Sequence, residues 1–286
     1  MCGPIVSKVV RERIEREGLP QVSRRNFLRM GGALAAAAAV GSAPQVLRAA
    51  PRQQMLDGEI VDLSHLLSVD FPVFPAFTKA TKRTLVSVEE DGFYAQEWTF
   101  GEHTSTHLDA PGHFVADAPL VSDLEPSALV GPGVVIDIAA KAAENPDAMV
   151  EVADIEAWEE TNGAMPEGVF VMMYSGWAER LMEQGEEAYS NADEDGTLHF
   201  PGFSPAAAEF LVNERSIKGV GVDTLSIDFG ASATFDVHYT VLGAGGVGIE
   251  NLNNLADLRD TVATVVLGVP KYEAGSGGPL RVMAFR

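Results

Sequence analysis

The chain has 286 residues, of which 46% are hydrophobic and 21% charged, so it can build a folded core and is neither a disordered tail nor a fibre. Lys and Arg total 20 against 41 Asp and Glu, and the resulting net charge of -21 argues against a nucleic-acid partner. The single cysteine is Cys2, which excludes a disulfide, a thiolate-bound zinc or a catalytic thiol from the body of the chain. A metal there must be held by His, Asp and Glu.

The first 50 residues differ in charge from the rest of the chain. They contain eight Lys or Arg and three acidic residues, a local net charge of +5, whereas the remaining 236 residues carry -26. Arg24 and Arg25 precede an uncharged, Ala-rich run over 30–43, which is too short for a transmembrane helix of about 20 residues. The segment resembles a twin-arginine export signal. We therefore expect an export leader over 1–50, a mature domain over 51–286, and a periplasmic or secreted location.

Beyond the leader, short apolar or alternating runs predict strands, and helix-type patterns lie between several of them. In chain order, the expected strands are 59–67, 82–88, 134–138, 168–174, 219–227, 262–269 and 280–285. The expected helices are 152–160, 178–189, 204–214 and 249–258. Strands interleaved with helices, with no dividing linker, repeat or second long apolar run, predict a single α/β domain without a membrane span.

Three histidines cluster around one aspartate. His103, His107 and His113 lie close to Asp109 in the run 101–114, which reads GEHTSTHLDAPGHF. In an extended segment alternate side chains share a face, so His103, His107 and Asp109 would project to one side and could converge on a single ion.

Pro111 and Gly112 are expected to end this extended segment and to let His113 turn back towards the same place. Imidazole nitrogens and a carboxylate suit zinc, manganese or iron, so the ligand types leave the metal open. The structural alternative is a polar surface turn whose histidines bond to the backbone. A purely structural metal site is disfavoured, because such sites close with four protein ligands and favour cysteine.

The histidine run resembles the HxGTHxDAPxH signature of the metal-dependent cyclase family, which includes bacterial kynurenine formamidases and isatin hydrolases. Further matches follow along residues 59–286 at 61–65 (VDLSH), 74–75 (FP), 175–177 (SGW), 221–228 (GVDTLSID), His238, 250–252 (ENL) and 277–282 (GGPLRV). The resemblance implies a swivelling β/β/α fold, a dimer or larger homo-oligomer, and a hydrolytic site with one or two metals.

The resemblance also implies a ligand set, carried over by motif position. One metal would be held by His103, His107 and Asp109, and a second by Asp109, His238 and Glu250, so that Asp109 bridges the two. Zinc is the expected metal, with manganese as the alternative. Glu250 has a second interpretation as the dipole partner of the predicted helix 249–258, and His238 as an ordinary core histidine.

His113 would be the proton donor and acceptor, because an imidazole can take a proton from attacking water and return it to the leaving nitrogen. Two positions depart from the family pattern. Ser105 stands where the family has glycine, and Phe74 stands where kynurenine formamidases typically present tryptophan. Phe74 still offers an aromatic wall for a flat substrate, but the indole N–H is absent.

We therefore expect a metal-dependent hydrolase that cleaves an amide-type C–N bond in a small aromatic or cyclic amide. The candidate substrates are aryl formamides such as N-formylkynurenine and cyclic amides such as isatin. Two alternatives remain open. One is a periplasmic metal-binding or solute-binding protein. The other is a mononuclear iron oxygenase with His107, Asp109 and His238 as its ligands, which would leave His103 and Glu250 unexplained.

A dinucleotide site is also weighed, because residues 243–248 match GxGxxG. The position about 20 residues further on is Gly268 rather than an acidic residue that could bind a ribose. A turn that brings His238 and Glu250 to one pocket explains these glycines better.

Overall fold

The computed structural model describes residues 58–286. The predicted leader over 1–50 lies outside the described residues, and the domain boundary at residue 51 stays a prediction. The described chain divides into two compact units, one formed by Lys82–Thr99 and the other by residues 58–81 together with 100–286. None of the helices within 58–286 is long and apolar enough to cross a membrane.

The smaller unit is a β-hairpin with one helical turn at its tip. Its elements are β2 (Thr81–Val86), α1 (Val88–Asp91) and β3 (Ala95–Thr99), and β2 pairs with β3. Ser87 caps α1, because its hydroxyl accepts a hydrogen bond from the Glu90 N–H. Gly92 ends the turn in the left-handed conformation, at φ 79°.

The larger unit is built on a nine-stranded mixed sheet with the order β1-β13-β11-β5-β7-β9-β10-β4-β12. These strands are β1 (Ile60–Asp62), β4 (His107–Asp109), β5 (Val130–Asp137), β7 (Phe170–Tyr174), β9 (Gly219–Val222), β10 (Val247–Glu250), β11 (Ala263–Gly268), β12 (Gly277–Pro279) and β13 (Arg281–Phe285). The central strands from β5 to β10 run parallel, and the strands on both sides of them pair antiparallel.

Besides four 3-10 turns, the larger unit contains six α-helices and a small parallel pair of strands. They are α2 (Ala139–Glu144), β6 (Met149–Val150), α3 (Val152–Asn162), α4 (Trp177–Gln184), α5 (Glu186–Ser190), β8 (Gly202–Phe203), α6 (Pro205–Arg215) and α7 (Asp236–Gly243). The Ser204 hydroxyl caps α6 by accepting the Ala207 N–H, and Pro205 occupies its first turn, as the sequence predicts.

Alternation along the central strands divides the core between the two faces of the sheet. On β7, Val171 and Met173 pack against α3 and α6, whereas Phe170 and Met172 belong to the opposite cluster. The cluster that contains Phe170 and Met172 also includes Val61 of β1 and Leu108 of β4, which lie towards opposite ends of the sheet. The sheet therefore curls around this cluster. The predicted α/β class is confirmed.

The predicted helix at 249–258 is wrong. Residues 247–250 form β10, and only Leu255–Leu258 form a helical turn, of the 3-10 type. Asn251 and Asn254 both adopt left-handed φ angles, of 56° and 54°, which an α-helix does not permit. The predicted helix 178–189 is divided into α4 and α5 by Gly185, at φ 82°.

Candidate metal centre

Strand β4 supplies the middle of the candidate site. His107 and Asp109 lie two residues apart on it and share a face, while Leu108 points into the hydrophobic cluster on the other side. Antiparallel pairing with β10 places Glu250 directly opposite His107. Side chains of such a cross-strand pair are neighbours, so the register brings this carboxylate to the histidine.

The expectation that residues 103–109 form one extended segment is wrong for its first half. Strand β4 begins only at His107, and Ser105 lies in the left-handed region, at φ 58°. This conformation carries no steric penalty for glycine, which accounts for the glycine that the family signature has here. The turn at Ser105, rather than strand alternation, brings His103 to the same side as His107 and Asp109.

His113 and His238 enter the site from elements next to β4. His113 ends a 3-10 turn, Pro111–His113, and so returns towards the strand as predicted. His238 lies in the first turn of α7, and the Gly-rich turn after α7 leads into β10 and Glu250. The interpretation of those glycines as a turn joining His238 to Glu250 is confirmed.

The structure brings the five predicted ligands together in two groups that share Asp109. These groups are His103 with His107 and Asp109, and Asp109 with His238 and Glu250, and within each group the candidate ligand atoms lie within 4.8 Å of one another. All five side chains are buried, with exposures of 7% or less. His238 and Glu250 therefore lie beside the other three side chains, and Glu250 ends strand β10 rather than beginning a helix.

Distances within the cluster show how closely these groups face each other. The His107 Nε2 lies 3.4 Å from Asp109 Oδ1 and 3.2 Å from Glu250 Oε2. The His238 Nε2 lies 3.6 Å from Asp109 Oδ2 and 3.3 Å from Glu250 Oε1. His103 Nδ1 is 2.6 Å from Asp109 Oδ1.

Hydrogen bonds on the far side of two imidazoles determine which nitrogen faces the cluster. His107 Nδ1 lies 2.9 Å from the Ser105 carbonyl oxygen, and His238 Nδ1 lies 2.6 Å from Asp228 Oδ2. Because both partners accept, each Nδ1 carries a proton, and Nε2 is the nitrogen that faces the carboxylates and that a metal would bind. This arrangement is typical of metal-binding histidines.

Electrostatics in the cluster favour a cation between the side chains. Burial alone lowers the pKa of His107, but the carboxylates of Asp109 and Glu250 overcome it and raise the pKa to about 10. Burial opposes the charge on Asp109 as well, yet His107, His103 and His238 hold the pKa of Asp109 well below its usual value. The two carboxylates thus remain ionised and attract positive charge.

A divalent metal fits these residues, because buried polar atoms in the cluster lack other partners. His107 Nε2 and Asp109 Oδ2 are both buried and make no hydrogen bond within the described residues. Such unsatisfied atoms are costly unless an ion or water binds them. Imidazole nitrogens and carboxylate oxygens are also the donor types that zinc and manganese accept.

His113 differs from the five candidate ligands. It is only half-buried, its ring stacks on His103 with centroids 3.9 Å apart, and its ring nitrogens hydrogen-bond to none of the described residues. Burial lowers the pKa of His113 to about 4, so its imidazole is neutral at pH 7. The ring can therefore accept a proton beside the cluster.

A cavity of about 230 Å³ opens over the cluster. Its wall is mainly apolar and contains four phenylalanine rings, those of Phe74, Phe77, Phe114 and Phe235. The predicted substrate-binding residue Phe74 thus lies in the cavity wall, where it packs edge-on against Phe235 with ring centroids 6.1 Å apart. None of the described residues that line the cavity is Lys or Arg.

Residues 61–229 match the Cyclase family model, whose description reads "Putative cyclase", and residues 21–41 match a TAT (twin-arginine translocation) pathway signal sequence. An isatin hydrolase of Roseibium aggregatum is 31% identical over 250 residues, which cover 81% of this chain and 94% of that protein. A kynurenine formamidase of Delftia acidovorans is 28% identical over 195 residues, covering 67% of this chain and 80% of that protein.

Among solved structures, isatin hydrolase A from Labrenzia aggregata, bound to benzyl benzoate, superposes with a TM-score of 0.75 at 37% identity. The match covers 79% of this chain and 93% of that chain. The fold and the cluster define a metal-dependent hydrolase, and the chain belongs to the cyclase family. These relatives confirm the predicted enzyme class, a hydrolase of amide C–N bonds. The match at residues 21–41 confirms the predicted twin-arginine signal.

Residues that orient the ligands were not assigned to the site from sequence. Asp228 accepts the backbone N–H groups of Val237 and His238 as well as the His238 ring. Asn251 donates to the Ser105 carbonyl that also anchors His107, and it accepts from the Tyr189 hydroxyl. Asp228 falls within a family match at 221–228, but that match does not distinguish packing from ligand support.

Proposed function

We propose that this chain hydrolyses the amide bond of a small, uncharged cyclic or aromatic amide, with isatin as the model substrate. The observation that carries this proposal is the apolar cavity over the metal cluster, with phenylalanine rings in its wall and no Lys or Arg among the described residues that line it. Flat aromatic rings stack favourably on such walls. The relative solved with benzyl benzoate supports the same class of ligand, since that molecule is aromatic and uncharged.

N-formylkynurenine is the less favoured substrate. It carries an ammonium and a carboxylate in addition to its formamide, and a buried charge needs a partner. The cavity offers no cationic partner for that carboxylate, because none of the described residues that line it is Lys or Arg. An isatin molecule brings no such charges.

The ligands of the metal would be His103, His107 and Asp109, with His238 and Glu250 completing a second position that shares Asp109. A bound divalent ion activates water at neutral pH and polarises the substrate carbonyl. Zinc is the proposed metal and manganese the alternative, with one or two ions per chain.

His113 would carry the proton. Its ring lies against His103 and 6.0 Å from the His238 ring, between centroids, so it stands next to both groups of ligands. An unprotonated ring nitrogen would take a proton from the water as its oxygen bonds to the carbonyl carbon, and it would then give that proton to the leaving nitrogen as the C–N bond breaks. The phenylalanine rings hold the substrate flat and exclude water from the rest of the cavity.

Two alternatives lose support. The iron oxygenase would use only His107, Asp109 and His238, whereas the structure also places His103 and Glu250 in the cluster. A binding protein without turnover is disfavoured because the relatives that match most of this chain are named as hydrolases. A periplasmic or secreted location and an assembly of two or more copies stay predictions.

The test is hydrolysis followed by ultraviolet absorbance, with isatin and N-formylkynurenine as parallel substrates and with protein loaded separately with zinc and manganese. We expect kcat/KM for isatin to exceed that for N-formylkynurenine by on the order of 100-fold, since an unpartnered buried charge costs about 3 kcal/mol or more. Chelation should abolish both reactions.

Variants at Phe74 test the contribution of the cavity wall. Phe74→Ala should raise KM for isatin while metal content stays unchanged, and Phe74→Trp, which keeps a stacking surface, should remain close to wild type. Faster hydrolysis of N-formylkynurenine would contradict the charge argument and leave the hydrolase class intact. Full metal loading with no turnover of either amide would contradict the proposed reaction itself.

A further inference from the structure

The imidazole of His103 is held differently from the other two in the cluster. Its ring lies between those of Phe77 and His113, with centroids 5.2 Å and 3.9 Å away. Its Nδ1 faces Asp109 Oδ1 at 2.6 Å, and its Nε2 faces the Ser276 hydroxyl oxygen at 3.0 Å. Nδ1 is therefore the nitrogen that points into the cluster, in contrast to Nε2 of His107 and of His238.

The partners of Ser276 determine where the His103 proton lies. The Ser276 hydroxyl is 2.5 Å from Glu102 Oε2, and the Ser276 backbone N–H donates to the same oxygen at 3.0 Å. A carboxylate accepts and does not donate, so the single hydroxyl proton goes to Glu102. The Ser276 oxygen is then free to accept from His103 Nε2–H. Asp109 accepts at Nδ1 in the same way while no metal is bound, so Nδ1 is the nitrogen from which a metal would displace the proton and Nε2 is the one that would keep it.

We propose that Glu102 and Ser276 form a positioning pair that keeps the proton of His103 on Nε2 and so makes its Nδ1 a metal ligand. The carboxylate acts on the imidazole through the serine hydroxyl, and this increases the electron density available at Nδ1. Neither residue touches the proposed substrate cavity, since neither lines it. The inference rests on the proposed metal site.

The backbone around Ser276 is shaped for this contact. Strand β12 pairs with β4 so that Gly277 stands opposite Asp109, and the Ala110 N–H donates to the Ser276 carbonyl at 2.9 Å. A Cβ atom on Gly277 would lie only 2.6 Å from His103 Cε1. Glycine at this position therefore lets the strand approach the imidazole closely enough for the hydroxyl to reach it.

Comparison of the three imidazoles indicates what the pair contributes. The second nitrogen of His107 is anchored by a backbone carbonyl and that of His238 by a carboxylate. The second nitrogen of His103 has a hydroxyl in that place, and a hydroxyl by itself can donate or accept. Glu102 removes this ambiguity, which is why the carboxylate is part of the arrangement and not only the serine.

The experiment measures metal affinity, by competition between the full-length protein and a chromophoric chelator for zinc. Ser276→Ala should weaken zinc binding by roughly 10-fold to 100-fold, as loss of a partner to a metal-binding histidine typically does. Ser276→Thr, which keeps the hydroxyl, should restore the wild-type affinity. Glu102→Gln keeps an acceptor without the charge and should lie between them.

Ser64→Ala is the matched control. The Ser64 hydroxyl accepts the Val282 N–H at 2.8 Å, so this variant also removes a serine that ties two distant segments, but it lies outside the cluster and the cavity lining. Its zinc affinity should equal that of wild type. Thermal unfolding of the metal-free variants completes the control. If both variants lose the same thermal stability but only Ser276→Ala loses zinc affinity, a general loss of folding does not explain the loss of zinc.

Long-range ¹H–¹⁵N spectra of the zinc-loaded protein give a second readout. They should show the His103 proton on Nε2 in wild type, and a changed His103 signal in Ser276→Ala. Unchanged zinc affinity in Ser276→Ala, or a His103 proton on Nδ1 in wild type, overturns the positioning pair while the metal site stands. Failure of wild type to bind zinc or manganese overturns both.

Discussion

Replacing Ser105 by glycine should stabilise the protein, although it removes a side chain from the centre of the histidine run. Ser105 adopts φ 58°, where a Cβ atom is strained, and its side-chain oxygen is buried without a hydrogen-bond partner among the described residues. Glycine relieves both conditions. The Ser105 carbonyl, which anchors His107 and Asn251, is part of the backbone and remains.

The magnitude follows from three contributions. Relief of left-handed strain contributes about 1 kcal/mol, and removal of an unsatisfied buried hydroxyl contributes about 1 kcal/mol more. Glycine also makes the unfolded chain more flexible, which offsets up to about 1 kcal/mol. The net expectation is a stabilisation of about 1 kcal/mol, or a rise in Tm of about 2 to 4 °C for a chain of this size.

Ser216→Gly separates the two favourable contributions. Ser216 also lies in the left-handed region, at φ 49°, but it is exposed and follows the end of α6. At this position the relief of strain in the folded state and the added flexibility of the unfolded chain should nearly cancel. The free energy of unfolding of Ser216→Gly should therefore be close to that of wild type. In urea and thermal unfolding of the metal-free proteins, the free energy of unfolding of Ser105→Gly should therefore exceed those of Ser216→Gly and wild type by about 1 kcal/mol. A Ser105→Gly protein less stable than wild type would refute the reasoning, because it would mean that the hydroxyl makes a favourable interaction.

Asp109→Ala should empty both metal positions, since Asp109 belongs to both groups of ligands, and elemental analysis of the purified protein should find no bound metal. At a free metal concentration of 100 times Kd, the free energy of unfolding of wild type should exceed that of the chelated protein by about 2.7 kcal/mol. Asp109→Ala should show no such difference. His113→Ala should keep its metal but lose on the order of 100-fold to 10,000-fold in kcat, and normal turnover would overturn its role as the proton carrier. Burial raises the pKa of Asp223 to about 6, although the Ser175 and Trp177 donors oppose the shift. The contribution of Asp223 to stability is then complete below about pH 4 and is lost as the pH rises to about 6, with a slope of at most about 1.4 kcal/mol per pH unit. Asp223→Asn should lack this slope in urea titrations between pH 4 and 7, and an unchanged slope would assign it to other carboxylates.

The central strands could be predicted because they are buried on both faces. Buried parallel strands read as continuous apolar runs, and the runs near 134–138, 168–174 and 219–227 correspond to β5, β7 and β9. Their ends were less accurate, since β9 stops at Val222. Beyond it the chain reads DTLSI, and its two apolar residues, Leu225 and Ile227, are buried although they belong to no strand. Apolar character there therefore reports burial rather than strand.

The error at 249–258 has a specific cause. The segment has apolar residues spaced as on a helix, and Glu250 stands where an acidic residue would favour a helix N-terminus. Pairing with β9 and β4 overrides this local preference, and the left-handed Asn251 ends the strand. Glu250 does lie in the cluster, but on a strand and not at a helix start, because the family motif identifies the residue and not its secondary structure.

Local spacing made His107 and Asp109 predictable, whereas the groups that orient the imidazoles depend on strand register. Ser276 is 173 positions from His103, and only the pairing of β12 with β4 brings them together. Asp228 reaches His238 across ten positions through the cap of α7. The anchor of His107, in contrast, is a backbone carbonyl that no side-chain substitution removes. A substitution at Ser276 or Asp228 can therefore alter how strongly His103 or His238 donates to a metal, although neither substituted residue is itself a candidate ligand. The anchor of His107 is preserved as long as the backbone turn at residue 105 is kept.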